Sequence, residues 1–239
     1  MNGLLGKENS MRNLIALSGI ALVAAIGLLA SAGAGAEESA IAGAGDAAPE
    51  CELHVFPTLE GQAQTTGLLS GFGFIGAAVD AAANKDRNIS EADYLKEALG
   101  PKMQVDAMAG IDLVSALKLP PSKIIFETPI ADRKITTKAD TRLTQSSAPC
   151  YAELLVTQNF YTKKAIYGRS LNNRFIFKDF RTGKNKTSLF KGRGGNGLSH
   201  FPPKTTDETE VAEAELRDVF VKNFMEFSGN VKPAKLAKK

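Results

Sequence analysis

A long apolar run near the front of this chain decides where the rest has to fold. Leu14 to Ala32 is rich in Ala, Leu, Ile and Gly, and Lys7 and Arg12 precede it. The run gives way to Ser31-Ala32-Gly33-Ala34-Gly35-Ala36, where Ala34 and Ala36 form an A-x-A pattern. A basic lead, an apolar stretch and a small-residue site together predict a secretory signal peptide over residues 1–36, cleaved after Ala36. Met11 offers a second start that would shorten the lead. An uncleaved anchor is the other reading, since a run of about 19 apolar residues can span a bilayer. Cys51 follows Ala48-Pro49-Glu50, which is not a lipobox, so no lipid attachment is expected. The mature chain is expected in the periplasm or outside the cell, where disulfides persist.

Cys51 and Cys150 are the only cysteines. An even count in an exported chain predicts that they pair. A reactive thiol or a metal ligand is the alternative. His54 lies near Cys51, but no second cluster has ligand spacing, so no metal site and no cofactor are predicted. Removing residues 1–36 from the 239 leaves 203, enough for one domain with a real core. Lys7, Arg12 and Glu8 leave with the leader, so the formal charge falls from +3 to +2. That balance predicts no nucleic-acid partner. Residues 37–50 are small, acidic and Pro-containing and form a flexible spacer. Residues 51–229 form the domain, and residues 230–239 a basic disordered tail.

Within the domain, Cys51 to Phe56 alternates and ends at Pro57, which predicts a first strand. Gly67 to Ala83 is almost uncharged and dense in glycine. Gly71, Gly73 and Gly76 spell G-x-G-x-x-G, but no strand runs into it, so a dinucleotide loop is not predicted. The preferred reading is a buried helix crossed closely by another element. The sharper one is an exposed apolar helix that touches a membrane surface or an envelope protein, with Leu68, Leu69, Phe72, Phe74 and Ile75 as the contact residues. Ser90 to Asp93 looks like a capping box for a helix ending at Leu99 and Gly100. Lys102 to Leu117 shows a helical apolar face through Met108, Ile111, Val114 and Leu117.

Ser122 to Pro129 predicts a second strand, and 131–148 a polar loop or an irregular edge strand. Cys150 to Val156 and Phe160 to Tyr167, then Arg174 to Arg181 across a turn at Gly168 to Asn173, predict a long antiparallel hairpin. Lys191 to Gly197 is expected to be a flexible basic loop. Ala212, Leu216, Val219, Phe220, Phe224 and Phe227 share one stripe of a final helix that Gly229 closes. The fold class predicted is α+β: a mostly antiparallel sheet with a long hairpin, packed against two or three helices.

The stretches Cys51-Glu-Leu-His-Val-Phe-Pro57, Gly71-Phe-Gly-Phe-Ile-Gly-Ala-Ala-Val-Asp80 and Cys150-Tyr-Ala-Glu-Leu154 resemble uncharacterised exported proteins of Gram-negative bacteria. The resemblance covers most of residues 51–228 and implies a periplasmic or envelope location. The order of elements is similar to the periplasmic α/β domain of curli-secretion lipoproteins, penicillin-binding-protein activators and the TolB N-terminal domain. That likeness implies binding to other envelope components.

Catalytic signatures are missing from the sequence. It holds two histidines, His54 and His200, and no G-x-S-x-G, H-E-x-x-H or P-loop. Ser199-His200 is a sequence neighbour pair without triad geometry. The expected function is therefore a non-enzymatic envelope protein that binds or assists another envelope component. An exported hydrolase would instead gather His54 or His200 with carboxylates in a polar pocket. A soluble small-ligand carrier would enclose an apolar cavity.

Overall fold

The computed structural model describes residues 51–69, 73–138, 141–181 and 187–232. The predicted leader, its cleavage residues Ala34 and Ala36, the spacer and Phe72 lie outside them. Six strands form one sheet: β1 (Cys51–Phe56), β2 (Gly61–Thr66), β3 (Ser122–Phe126), β4 (Cys150–Lys164), β5 (Gly168–Asp179) and β6 (Ser188–Leu198). Their order is β3-β1-β4-β5-β6, and β2 lies beside the second half of β4.

The α+β class holds, but the sheet is mixed. β1 pairs in parallel with both β3 and β4, and β2 pairs in parallel with β4, whereas β4, β5 and β6 are antiparallel. The alternating pattern that marks a strand says nothing of its direction. The cue lay between strands: a helical crossover is what a parallel pair requires. Residues between β2 and β3 supply α1 (Gly73–Ala83), α2 (Lys85–Ala98), α3 (Pro101–Ala109) and the single turn α4 (Leu113–Ala116). The helix expected over Lys102 to Leu117 breaks at Gly110, and Asp112 recaps the chain by accepting from the Ser115 N–H at 3.0 Å. α2 begins ahead of the expected capping box, at Lys85.

One short helix, α5 (Arg133–Thr136), interrupts the loop before β4. The β4–β5 hairpin turns at residues 165–167, earlier than expected, and Gly168 takes a left-handed φ of 73° as β5 begins. α6 (Thr209–Gly229) lies across the sheet with the predicted stripe fully inward. Phe175 of β5 meets Phe220, Phe224 and Phe227 at ring-centroid distances of 5.9, 5.7 and 5.1 Å. The order continues past the helix: Val231 is buried, and its carbonyl accepts from Lys118.

The expected basic loop at Lys191 to Gly197 is instead β6, an edge strand. Its glycines belong to helix packing rather than to flexibility. A Cβ on Gly194 would sit 2.2 Å from the backbone oxygen of Asn223, and one on Gly192 would sit 2.8 Å from the Phe227 ring. Those two positions face α6, so glycine lets the helix backbone approach the strand. Asn223 uses the closeness: its side-chain N–H group donates to Leu171 O and Asn173 Oδ1, and its Oδ1 accepts from Asn196. Gly194→Ala is expected to cost about 3 kcal/mol, near the top of the usual overpacking range, because backbone cannot move aside as a side chain can. Gly229→Ala, with nothing within 4 Å of its added carbon, is the control and should be neutral or stabilising. Urea unfolding of both variants decides it, and equal midpoints would remove the packing argument.

Candidate contact surface and the buried polar network

The register of the sheet brings two chain reversals to one end, the exit from β2 and the β4–β5 turn. Thr66 at the end of β2 pairs with Lys164 at the end of β4, and Lys164 pairs with Gly168 at the start of β5. The Ala165 N–H donates to Thr66 O at 3.1 Å, which sets the hairpin turn beside the segment that leaves β2. A shallow groove there is lined by Thr66, Gly67, Leu68 and the turn residues Ala165, Ile166 and Tyr167.

These reversals carry large apolar side chains into solvent. Phe74 is 90% exposed, Tyr167 83%, and Ile75 and Ile166 78% each. Leu68, Leu69 and Val79 are also exposed. The preferred expectation of a buried helix at 67–83 is overturned for the described residues. α1 presents little inward face: among its described residues Asp80 alone is buried, packed against Gly67, where a Cβ would lie 2.6 Å from the carboxylate. Of the five predicted contact residues, Leu68 lines this groove, and Leu69, Phe74 and Ile75 are exposed on the segment that follows β2. Ile166 and Tyr167 were missed. Their signal was two large apolar residues between Lys164 and Gly168, at a hairpin turn where polar residues are the rule. Lys164 Nζ stands 5.8 Å from the Tyr167 ring centre.

The opposite end holds a network under the loop that joins β3 to β4. His54 is almost fully buried, with Nδ1 at 2.7 Å from Glu127 and Nε2 at 3.0 Å from Glu52. The Ser146 hydroxyl donates to the same Glu52 oxygen, and these two hydrogen bonds, Ser146's first, hold the Glu52 carboxyl below its usual range. The His54 ring also packs on Tyr151 at 4.8 Å, and Arg142 lies 4.4 Å over the other ring's centre. The Tyr151 hydroxyl bonds Thr144 and donates to Glu153, and burial pushes its pKa up. Lys178 and Glu153, both fully buried, approach to 3.1 Å.

This network gathers His54 with carboxylates, as a hydrolase would, but both ring nitrogens are already engaged and the imidazole is covered. The geometry serves to pin the loop, through Ser146, Thr144 and Leu143, to β1 and β4. His200 does not join it. That residue follows β6, whose end pairs with Arg169, while Glu153 beside His54 pairs with Lys178. Those positions are nine residues apart on β5, on the order of 30 Å. The exposed Ser199-His200 turn is held by Glu215, whose carboxylate accepts the N–H groups of Ser199, His200 and Phe201. Glu215 is thus one of the acidic residues on α6 with a structural task. Among the described residues no three His, Cys, Asp or Glu side chains are placed to hold a metal ion, and no helix is long and apolar enough to cross a membrane.

Cys51 and Cys150 form a disulfide, with Cα atoms 4.5 Å apart, between the first residues of the neighbouring strands β1 and β4.

No protein-family model matches the chain, and no curated protein does. Two solved structures show a faint likeness. A hypothetical protein from Chlamydia trachomatis is 9% identical with a TM-score of 0.33, covering 76% of this chain and 95% of its own. An uncharacterised protein is 12% identical with a TM-score of 0.26, covering 77% and 90%. Likenesses at this level carry no argument about fold or activity, and they lend no support to the resemblance with curli-secretion or TolB domains.

Proposed function

We propose that this chain is an exported, non-enzymatic protein of the cell envelope that binds or assists another envelope component through its apolar end. The observation that carries the reading is the groove that exposed Leu68 shares with exposed Ile166 and Tyr167, followed along the chain by exposed Leu69, Phe74 and Ile75. Isolated exposed apolar residues are ordinary, but apolar residues of two segments brought together in one groove mark a contact surface. The N-terminal pattern supports export, and the disulfide is compatible with an oxidising compartment. The engaged state of His54 weakens the hydrolase reading.

Fractionation of the native host tests this directly. The mature protein is expected to stay with envelope membranes or an envelope complex through a high-salt wash. The variant Phe74→Ser, Ile75→Ser, Ile166→Ser, Tyr167→Ser is expected to be released, with an unchanged melting temperature. Wild-type protein recovered throughout as a free monomer would overturn the reading.

A further inference from the structure

A second surface lies on the sheet face away from α6, bordered by the β3–β4 loop, whose Thr136 and Thr137 line a groove with Arg174 and Lys191. The strand register fixes who stands there. From β4 come Phe160, Thr162 and Lys164; from β5 Ser170, Asn172 and Arg174; from β6 Lys191, Arg193, Gly195 and Gly197. Phe160, Thr162, Lys164, Ser170, Asn172, Arg174 and Arg193 line one groove on this face.

Arg174 is the direct cross-strand partner of Arg193. Like charges placed opposite each other destabilise a sheet. Both guanidinium groups are exposed, and neither forms an ion pair among the described residues. Glu226 of α6 is already engaged with Asn196 and the Gly195 N–H. Lys164 and Lys191 extend the row without acidic partners. An uncompensated, repelling pair on a rigid strand is what a bound oxyanion would relieve, and arginine forks fit carboxylates in two-pronged fashion.

The spread of the cations sets the shape of the ligand. Six residues of β5 separate the level of Arg174 from that of Lys164, about 20 Å. A single small anion cannot bridge that length. Between the charges stand neutral groups: the Thr162 and Ser170 hydroxyls, 2.7 Å apart, and the Asn172 amide, which donates to Ser170. The hydroxyl pair shares one proton internally, leaving the other O–H to donate outward. Half-buried Phe160 offers an apolar ring in the middle of this polar track. Opposite Ser170 and Asn172, β6 presents Gly197 and Gly195, so that side of the track is bare backbone.

We infer that this face binds an extended acidic polysaccharide, with sugar carboxylates or sulfates on Arg174, Arg193 and Lys164, hydroxyls on Thr162, Ser170 and Asn172, and one sugar face on Phe160. Nucleic acid fits less well, because Phe160 is the one aromatic ring among the residues lining the groove, whereas a bound single strand stacks successive bases on several aromatic side chains. The inference uses none of the exposed apolar residues of the proposed contact end, so each can fail alone.

Calorimetric titration with an oligogalacturonate of about eight sugars, a heparin octasaccharide and a neutral malto-octaose provides the test. One or both acidic chains should bind and the neutral one should not. Arg174→Gln and Arg193→Gln should each weaken binding about tenfold or more, as loss of a charge-assisted contact does. Phe160→Ser should weaken it too, and Arg217→Gln on α6 should leave it unchanged. Thermal melts of each variant confirm that it is folded, with Lys164→Gln replacing any that is not. No binding of either acidic chain, binding by Arg174→Gln and Arg193→Gln as tight as by the unsubstituted protein, or tighter binding of a single-stranded oligonucleotide would each overturn the inference.

Discussion

Reducing the Cys51–Cys150 bridge is expected to lower stability by about 4–5 kcal/mol, the loss the chain-entropy model assigns to opening a loop of roughly 100 residues. The sequence separation is 99 residues, so the bridge constrains about half of the folded chain when it is unfolded. Loop length is not the whole reason for a large effect. The bridge joins adjacent parallel strands, and parallel pairing has no short hairpin to bring its partners together. β2, α1 to α4 and β3 all lie between the paired strands in sequence, so a long stretch of chain has to be ordered around this contact. A domain of this size has a total stability of about 5–15 kcal/mol. The reduced form should therefore stand close to the edge at body temperature. Urea unfolding with and without a phosphine reductant measures the loss, and Cys51→Ser with Cys150→Ser should reproduce it. A difference below about 1 kcal/mol would mean that native strain or a compact reduced ensemble cancels the entropic gain.

Some of this architecture could be read from the residues because local chemistry fixed it. The stripe Ala212, Leu216, Val219, Phe220, Phe224, Phe227 has one helical solution, and it is the face that α6 buries. Cys51 and Cys150 open strands whose alternation is unambiguous, and pairing them was a matter of counting. Other features were fixed by partners far along the chain. Gly192 and Gly194 suggest a mobile loop until α6 is placed over them, and then they are the reason the helix fits. Gln62 and Gln64 carry no strand signal of their own, yet β2 forms because β4 overshoots β1 and leaves a free edge for Phe160 to Lys164 to pair. The apolar end was half legible. Phe74 and Ile75 stood out by composition, but Ile166 and Tyr167 became part of the same surface through the register that brings the turn beside Thr66. The opposed Arg174 and Arg193 were invisible for a similar reason, since neither residue is unusual until the strands are aligned.

Replacing Lys178 alone with methionine is expected to cost about 3–5 kcal/mol, the penalty for leaving one charge of a buried pair without its partner. Glu153 and Lys178 are register partners on β4 and β5, and neither side chain reaches solvent. Glu153 Oε2 meets Lys178 Nζ at 3.1 Å without hydrogen-bond alignment, so the contact is chiefly electrostatic. The other carboxylate oxygen accepts from the Leu143 N–H and the Tyr151 hydroxyl, and Lys178 points its charge toward Thr141 O at 3.4 Å. The pair thus does two things: it neutralises itself, and it fastens the β3–β4 loop to the sheet. The surrounding apolar cluster of Phe56, Leu155 and Ile176, with Ile130, Leu143 and Leu189, could accept methionine by shape. Charge, not volume, is then the source of the loss. Adding Glu153→Leu to Lys178→Met should restore part of the stability, because the orphaned carboxylate is gone. Recovery should stop short of wild type, since the Leu143 N–H and Tyr151 hydroxyl then lack their acceptor, at about 1–3 kcal/mol for each such group. A double-mutant cycle by urea unfolding separates these terms, and hydrogen exchange at residues 141–148 follows the loop. A single variant as stable as wild type would show that the carboxylate needs no counter-charge. A double variant with fully protected loop amides would show that apolar packing alone holds the loop down.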